Sequence, residues 1–562
     1  MSSNGVTETV KSGEGTLDSV RAFYRTDEKI VVNDVPSLTT CVVALHANGT
    51  RVEAVSSDYY ALSALKPGTY AVQALGEGDR LLAEALTTVG THAGERPVHG
   101  FATSFGDEDV STVLEWHRAL RSTVVQVYDW MASYTEPLGP ATGWEDPSRR
   151  PVSFDALRAL ASGLHAHGCV THAYVPIYAV GNEFAHDHPE MLMYEDNGEA
   201  IRFLDQIVLA NPGNQAWQQH FVDAYGAAAD AIGFDGFHID TYGYPRLAFD
   251  ADGNSIDPRS AYESFLVFVR EAWPTALISF NQVNGVPANA VLARGPRFRY
   301  CEVWPPNVGW RHLEGLLDRS SGRTGHLRHE NEGGDRMRGS IACYPPVWGM
   351  DGANGTVEDD ERDASLRTDV LTEAIATSLG ASALIFGDRR AALCDPYYPK
   401  HARLTVDEGA TVLRWRRFAL RCRDLFIDGE DTSWYEINDE NGSVAVEASA
   451  PVRPEPIGGS LFARVVHAPE CVTVGLIDLT GSTDGMWSES SAAGSLTQAT
   501  VRVLVDRPEN WRAAAAVLGA ADEHFAALAS RVVSHRQGRA LEVDVPLVGG
   551  WSVLRLTNRD QS

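Results

Sequence analysis

The chain has 562 residues, 44% of them hydrophobic and 22% charged, with a formal net charge of −28. That length exceeds one ordinary core and points to a multidomain globular protein. The acidity excludes a phosphate-neutralising surface, so no nucleic acid partner is expected, and no run approaches the ~20 apolar residues that span a bilayer. The stretch Met1-Ser2-Ser3-Asn4-Gly5 lacks a basic start and an apolar core, so no secretory signal is expected. Seven scattered cysteines without a CxxC pair read as reduced thiols in a cytoplasmic protein.

In chain order, residues 1–20 are polar and rich in Gly and Ser, as in a flexible tail. Residues 21–97 hold short β-like runs separated by turns such as Ala47-Asn48-Gly49 and Lys66-Pro67-Gly68, which predicts a small immunoglobulin-like β-sandwich. Over 98–430 strands and helices alternate. The expected strands are 99–105, 124–130, 170–180, 236–240, 276–283, 300–304, 340–345 and 383–388. Helices are expected at 109–120, 154–167, 215–232, 261–272, 363–379 and 410–423. Eight strands in βα units predict a central (β/α)8 TIM barrel. A doubly wound sheet is the alternative, but no Gly-rich phosphate loop follows the first strand. Residues 431–562 return to spaced β runs and predict a C-terminal β-sandwich of Greek-key type.

Reactive groups of such a barrel sit where strands end. Carboxylates occur there repeatedly: Asp129 in Val127-Tyr128-Asp129-Trp130, Asp240 closing Gly236-Phe237-His238-Ile239-Asp240, Glu302 in Tyr300-Cys301-Glu302-Val303-Trp304, and Asp388 closing the eighth strand. Strands four and six are close enough around the barrel for Asp240 and Glu302 to face one another. Two carboxyls flanking a bond are what glycoside hydrolysis requires, one ionised and one protonated. Apolar neighbours of Glu302 favour the protonated form there. A single strand-end acid is equally compatible with a salt bridge or a helix cap; several on one rim favour chemistry.

Aromatic residues crowd the same segments, among them Trp130, Tyr134, Tyr174, Tyr178, Tyr242, Trp304 and Tyr397, and flat rings suit sugar faces. Packing between barrel and helices is the alternative for each. Asn281 and Asn284 offer amides to sugar hydroxyls. The strand histidines His99, His172 and His238 raise a metal-hydrolase alternative, but no H-x-H occurs on strand one. His329-Glu330-Asn331-Glu332 lacks a histidine at i+4, so His238 reads as a core or supporting residue and neither metal nor cofactor is expected.

Taken together, several motifs resemble glycoside hydrolase family 66, the endo-dextranases and cycloisomaltooligosaccharide glucanotransferases. They are Tyr128-Asp129-Trp130 with Pro137-Leu138, Tyr174 through Tyr178-Ala179, Gly233-Phe234-Asp235-Gly236 leading to Asp240-Thr241, Glu302-Val303-Trp304-Pro305, and Asp395-Pro396-Tyr397-Tyr398-Pro399. The resemblance covers about residues 98–430. It implies a retaining enzyme on α-1,6-glucan or isomaltooligosaccharides, with Asp240 as nucleophile, Glu302 as general acid/base, and Asp129, Trp130 and Tyr178 at substrate subsites. Where the family usually has Gly-Glu after strand eight, this chain has Gly387-Asp388. Cyclising relatives carry a binding module inserted in the barrel, and no gap here has room for one. Transglycosylation and non-catalytic glucan binding are the alternatives to hydrolysis.

Overall fold

The structure is a computed structural model. It describes residues 15–63, 65–203, 207–241, 247–286, 295–321, 339–348, 359–394, 401–438, 442–469, 471–520 and 523–558. Tyr242 and Tyr397, the loop around Tyr244, the tyrosines near 397, and residues 329–332 lie outside the described residues.

Eight parallel strands form the central sheet: β1 (His99–Ala102), β2 (Val124–Val127), β3 (Val170–Pro176), β4 (Gly236–Asp240), β5 (Leu277–Asn281), β6 (Arg297–Glu302), β7 (Ser340–Ala342) and β8 (Ser382–Leu384), paired in that order. Around it lie α1 (Val110–Ala119), α2 (Phe154–Ala166), α3 (Gln215–Ile232), α4 (Pro258–Ala272), α5 (Arg311–Ser321), α6 (Asp359–Ser378) and α7 (Val406–Cys422). The result is a nearly closed barrel. Across the seam the Asp388 N–H donates to the Phe101 carbonyl, and the Asp388 carboxylate accepts the Thr103 and Ser104 N–H groups at 3.1 Å and the Ser104 hydroxyl at 2.7 Å.

α3 shows how local sequence aims the site. The Asn214 side chain accepts the N–H groups of Ala216 and Trp217, and Gly233 ends the helix at φ 96, a left-handed conformation that glycine adopts without steric cost. Trp217, Phe221, Tyr225 and Ile232 are buried on one face, each contributing about 1.5–3 kcal/mol. Asp235 then accepts the Thr171 N–H at 2.8 Å, tying the start of β4 to β3. At Gly236 a Cβ would lie 2.0 Å from the Leu277 carbonyl oxygen, so only glycine lets β4 approach β5.

Inside the barrel, Phe101, Val124, Leu277, Phe298, Tyr300, Ala342 and Leu384 pack together, with Phe23 and Ala93 from the N-terminal segment closing the floor. Two small sheets precede the barrel. One has Gly15–Thr16, Leu81–Gly90, Gly68–Leu75, Cys41–His46 and Arg51–Glu53 in spatial order, with Phe23–Arg25 also on Leu81–Gly90; the other has Ile30–Val32, Tyr60–Leu62 and Val55–Ser56. After α7, two further sheets enclose a core of Leu461, Val474, Val501, Val543 and Leu554. One is built on Leu461–Ala468, Cys471–Asp478, Trp551–Asn558 and Trp511–Val517. The other is Val444–Glu447, Gln498–Leu504, Gly538–Pro546 and Ser530–His535. Trp551 from this region packs on Trp415 and Phe418 of α7, at 6.0 and 4.8 Å between ring centroids.

Candidate active site

Three consecutive strands, β4, β5 and β6, end in Asp240, Asn281 and Glu302. Because adjacent parallel strands bring their C-terminal ends to one rim, the three side chains meet. The Asn281 amide nitrogen donates to Asp240 Oδ1 at 2.7 Å and to Glu302 Oε2 at 2.9 Å, so one nitrogen ties the two accepting oxygens together. The Tyr174 hydroxyl donates to Asp240 Oδ2 at 2.9 Å. Trp304 and Tyr344 also act on the Glu302 carboxyl, both favouring its ionised form.

These partners divide the pair electrostatically. Burial raises the Asp240 carboxyl to about 6, held back by the hydrogen bonds from Asn281, Tyr174 and the Thr241 backbone, which stabilise the carboxylate. Burial raises Glu302 to about 7, and the neighbouring Asp240 charge adds to the rise. Asp240 therefore ionises first and Glu302 keeps its proton longer, although the two titrate as a unit.

Asp129 lies on the same rim at φ 48, beyond β2. It is 6% exposed; burial raises its carboxyl to about 7, opposed by Arg150 and reinforced by Asp146 and Asp240. Its Oδ2 receives the Ser148 hydroxyl at 3.4 Å, and Arg150 stands 3.9 Å away while bonding Asp146 more closely at 2.7 Å. Asn284, also left-handed at φ 52, accepts the Trp304 N–H at 2.8 Å and so fixes the backbone beside Glu302. Left-handed Asp and Asn are tolerated where a chain must turn sharply off a strand, and they gather at functional rims.

Other residues expected at the substrate lie elsewhere. Trp130 is fully buried against Tyr225 of α3 and Phe234, and its indole donates to the Tyr174 carbonyl at 3.0 Å, so its ring faces the helical layer. Tyr178 is likewise buried, its ring 6.1 Å from Tyr262 of α4. Tyr134 is half-buried in the same cluster, and its carbonyl accepts the Tyr225 hydroxyl at 2.9 Å. Asp388 is 2% exposed and engaged across the barrel seam. His238 sits in the barrel interior below Asp240, bonded to the Ser279 hydroxyl at 2.8 Å with its ring 4.4 Å from Tyr300. His99 and His172 pair separately with Ser340 and the Leu277 carbonyl, and burial lowers all three imidazoles, so they form a neutral polar core.

Two further tyrosines stand at the rim: Tyr128, one of the aromatic residues expected beside a sugar, and Tyr344, which was not among them. Tyr128 lies 4.5 Å from Tyr174 between ring centroids, and burial with the charges of Asp129, Asp240 and Glu302 holds its phenol protonated. Tyr344 follows β7 by two residues and bonds Glu302 and Tyr300. Both positions follow the strand-end rule that found the carboxylates, applied to aromatic residues. Among the described residues the one grouping of three potential metal ligands is His46, Asp424 and Asp428. Arg96 donates to Asp424 and Asp428 at 2.7 Å each, so a guanidinium already serves as the counter-cation there.

The family model described as glycosyl hydrolase family 66 matches residues 81–554. Two cycloisomaltooligosaccharide glucanotransferases from Niallia circulans are similar. One is 26% identical over 260 residues, which is 41% of this chain and 27% of the relative; the other is 25% identical over 217 residues, 34% and 22%. The matched region thus spans about a quarter of each curated relative. The structure of a Paenibacillus sp. cycloisomaltooligosaccharide glucanotransferase complexed with cycloisomaltoheptaose superposes with a TM-score of 0.75 at 15% identity, covering 96% of this chain and 100% of the other. An α-amylase from Geobacillus thermoleovorans complexed with acarbose gives 0.50 at 10% identity, covering 83% and 99%. At these identities the two structures speak to the fold.

Proposed function

Because the chain belongs to glycosyl hydrolase family 66, we propose that it cleaves α-1,6-glucosidic linkages of dextran or isomaltooligosaccharides with retention of anomeric configuration. The observation that carries this reading is the single Asn281 amide shared by Asp240 and Glu302. Its two bonds set a separation suited to direct attack, since retaining enzymes hold their carboxyls about 5–5.5 Å apart and inverting ones need room for an intervening water. Asp240 attacks the anomeric carbon while Glu302 gives its proton to the departing glycosidic oxygen. Glu302, now ionised, then takes a proton from water, which attacks the same carbon and releases Asp240. Tyr174 and Asn281 keep Asp240 ionised at a pH where Glu302 still carries a proton. The β-regions on either side, read as immunoglobulin-like and Greek-key sandwiches, serve the barrel as supports.

A second reading, transglycosylation, is favoured by the names of the two Niallia circulans relatives and the Paenibacillus sp. structure, which are glucanotransferases. It shares the glycosyl-enzyme and differs in whether water or a sugar hydroxyl resolves it. The long connection from β3 to β4 is occupied by a small sheet of Ala179–Val180, Ile207–Leu209 and Arg202–Phe203 and by α3, which supports hydrolysis as the main outcome. Incubation with dextran, followed by chromatography of the products and NMR of the first anomer released, tests both. Linear isomaltooligosaccharides of α configuration are expected; cyclic products would select the transferase, and a β anomer would refute the retaining mechanism. Asp240→Asn and Glu302→Gln should each lower turnover on dextran by about 10³-fold or more while dextran binding persists.

A further inference from the structure

The general acid is held partly from outside the barrel. Trp304 stands two residues beyond Glu302 on the same chain, its N–H held by Asn284 at 2.8 Å, and its indole acts on the Glu302 carboxyl. Trp304 begins a loop, residues 303–310, whose turn is set by the Asn307 N–H donating to the Trp304 carbonyl at 3.0 Å and the Asn307 amide reaching the same oxygen at 3.4 Å. The outer side of that loop lies against residues 482–491 of the C-terminal β-region. The Trp487 indole donates to the Asn307 carbonyl at 2.9 Å, and its backbone N–H to the Val308 carbonyl at 3.1 Å. The Trp310 N–H donates to the Gly485 carbonyl at 2.9 Å, and Gly309 bridges to Met486. The C-terminal segment is itself pinned to α6, where the Thr368 hydroxyl donates to the Glu489 carbonyl at 2.8 Å and the Ser491 N–H to the Ala364 carbonyl at 3.2 Å. Trp487 is 4% exposed within the core shared by barrel and C-terminal region.

We propose that Trp487 is a positioning residue for the general acid, acting through Asn307 and Trp304 to fix where the Glu302 carboxyl meets the leaving oxygen. This inference rests on the assignment of Glu302 above. A packing role alone would require the Trp487 rings; it would not require their N–H to meet the carbonyl of Asn307, the residue whose own N–H and amide close the turn on Trp304. A carboxyl displaced by a fraction of an ångström still ionises and still binds sugar, but it transfers its proton poorly.

The test is Trp487→Phe, which keeps a ring and removes the N–H, with Asn307→Ala as a second variant that loosens the same turn from the barrel side. Each is assayed on isomaltooligosaccharide, whose leaving group needs a proton, and on a nitrophenyl α-isomaltoside, whose leaving group does not. The expected result is a fall in kcat/KM, which reports the glycosylation step alone, of about 10-fold or more on the oligosaccharide, within the range for small misplacements, with little change in kcat/KM on the nitrophenyl substrate and a Tm near the parent's. Equal losses of kcat/KM on both substrates, or a lowered Tm with kcat/KM unchanged on both, would overturn the proposal. Glu302→Gln is run alongside. If it retains turnover on the oligosaccharide, the assignment of the acid has failed rather than the role of Trp487 alone.

Discussion

Asn281→Ala probes the centre of the site. The amide makes one hydrogen bond to each carboxyl, at 2.7 and 2.9 Å. A hydrogen bond to a charged group contributes about 1.5–3 kcal/mol, and 1.36 kcal/mol corresponds to one pKa unit, so losing the bond raises the Asp240 carboxyl by about 1–2 units. Water entering the space recovers part of this, leaving about 1 unit. Both bonds stabilise the ionised form, so both carboxyls move up. From a start of about 6 for Asp240, the ionised fraction at pH 6 falls from about a half to about a tenth. The pH profile of kcat/KM should therefore move bodily to alkaline pH, with about a fivefold loss at pH 6 that shrinks as the pH rises. Tyr174→Phe removes one donor, from Asp240 alone, and should move only the acidic limb. Steady-state kinetics from pH 4.5 to 9, with Tm measured at each pH, decides the matter. Profiles of the variant and the parent that coincide, with the fold intact, would refute the role given to Asn281.

Asp240→Asn removes the charge that adds to the effect of burial on Glu302. The Glu302 carboxyl should then titrate lower, as read by carbon NMR; an unchanged or higher value would contradict the pairing. Asp424 is buried among Arg96, His46 and Arg423. Burial alone would raise its carboxyl, but Arg96, His46 and Arg423 hold it well below the usual range. A depressed folded value means its contribution is complete above about pH 4, the ordinary carboxylate value, and is lost as pH falls toward the folded value. Asp424→Asn, which removes the buried carboxylate from between Arg96, His46 and Arg423, should cost about 3–5 kcal/mol in urea unfolding at pH 7, with a difference from the parent that shrinks in acid. Gly236→Ala places a Cβ 2.0 Å from the Leu277 carbonyl oxygen. It should lower stability by about 3 kcal/mol by differential scanning calorimetry and reduce turnover with it, because Asp240 ends the same strand.

What was legible from sequence was local. Residues 215–232 and 236–240 could be read to the residue, because an apolar face at helical spacing, the Asn214 cap and the left-handed Gly233 all act within a few bonds. The strand-end carboxylates were legible for the same reason, since a strand's last residue is placed by that strand. What needed the folded chain was every property set by a distant neighbour. Trp511–Val517, with four consecutive alanines, has no β signal of its own, yet it is a strand because Trp551–Asn558 pairs along its length. Trp130 and Tyr178 turned toward the helices, a direction decided by α3, Phe234 and α4. Asp388 carries the same carboxyl as Asp240, four residues beyond the end of β8. Barrel closure brings it the Thr103 and Ser104 N–H groups, whereas Asp240 stands beside Asn281 and Tyr174. Composition and periodicity determine which groups a strand offers at the rim. The partners that tune each group come from hundreds of residues away, and tertiary structure alone selects them.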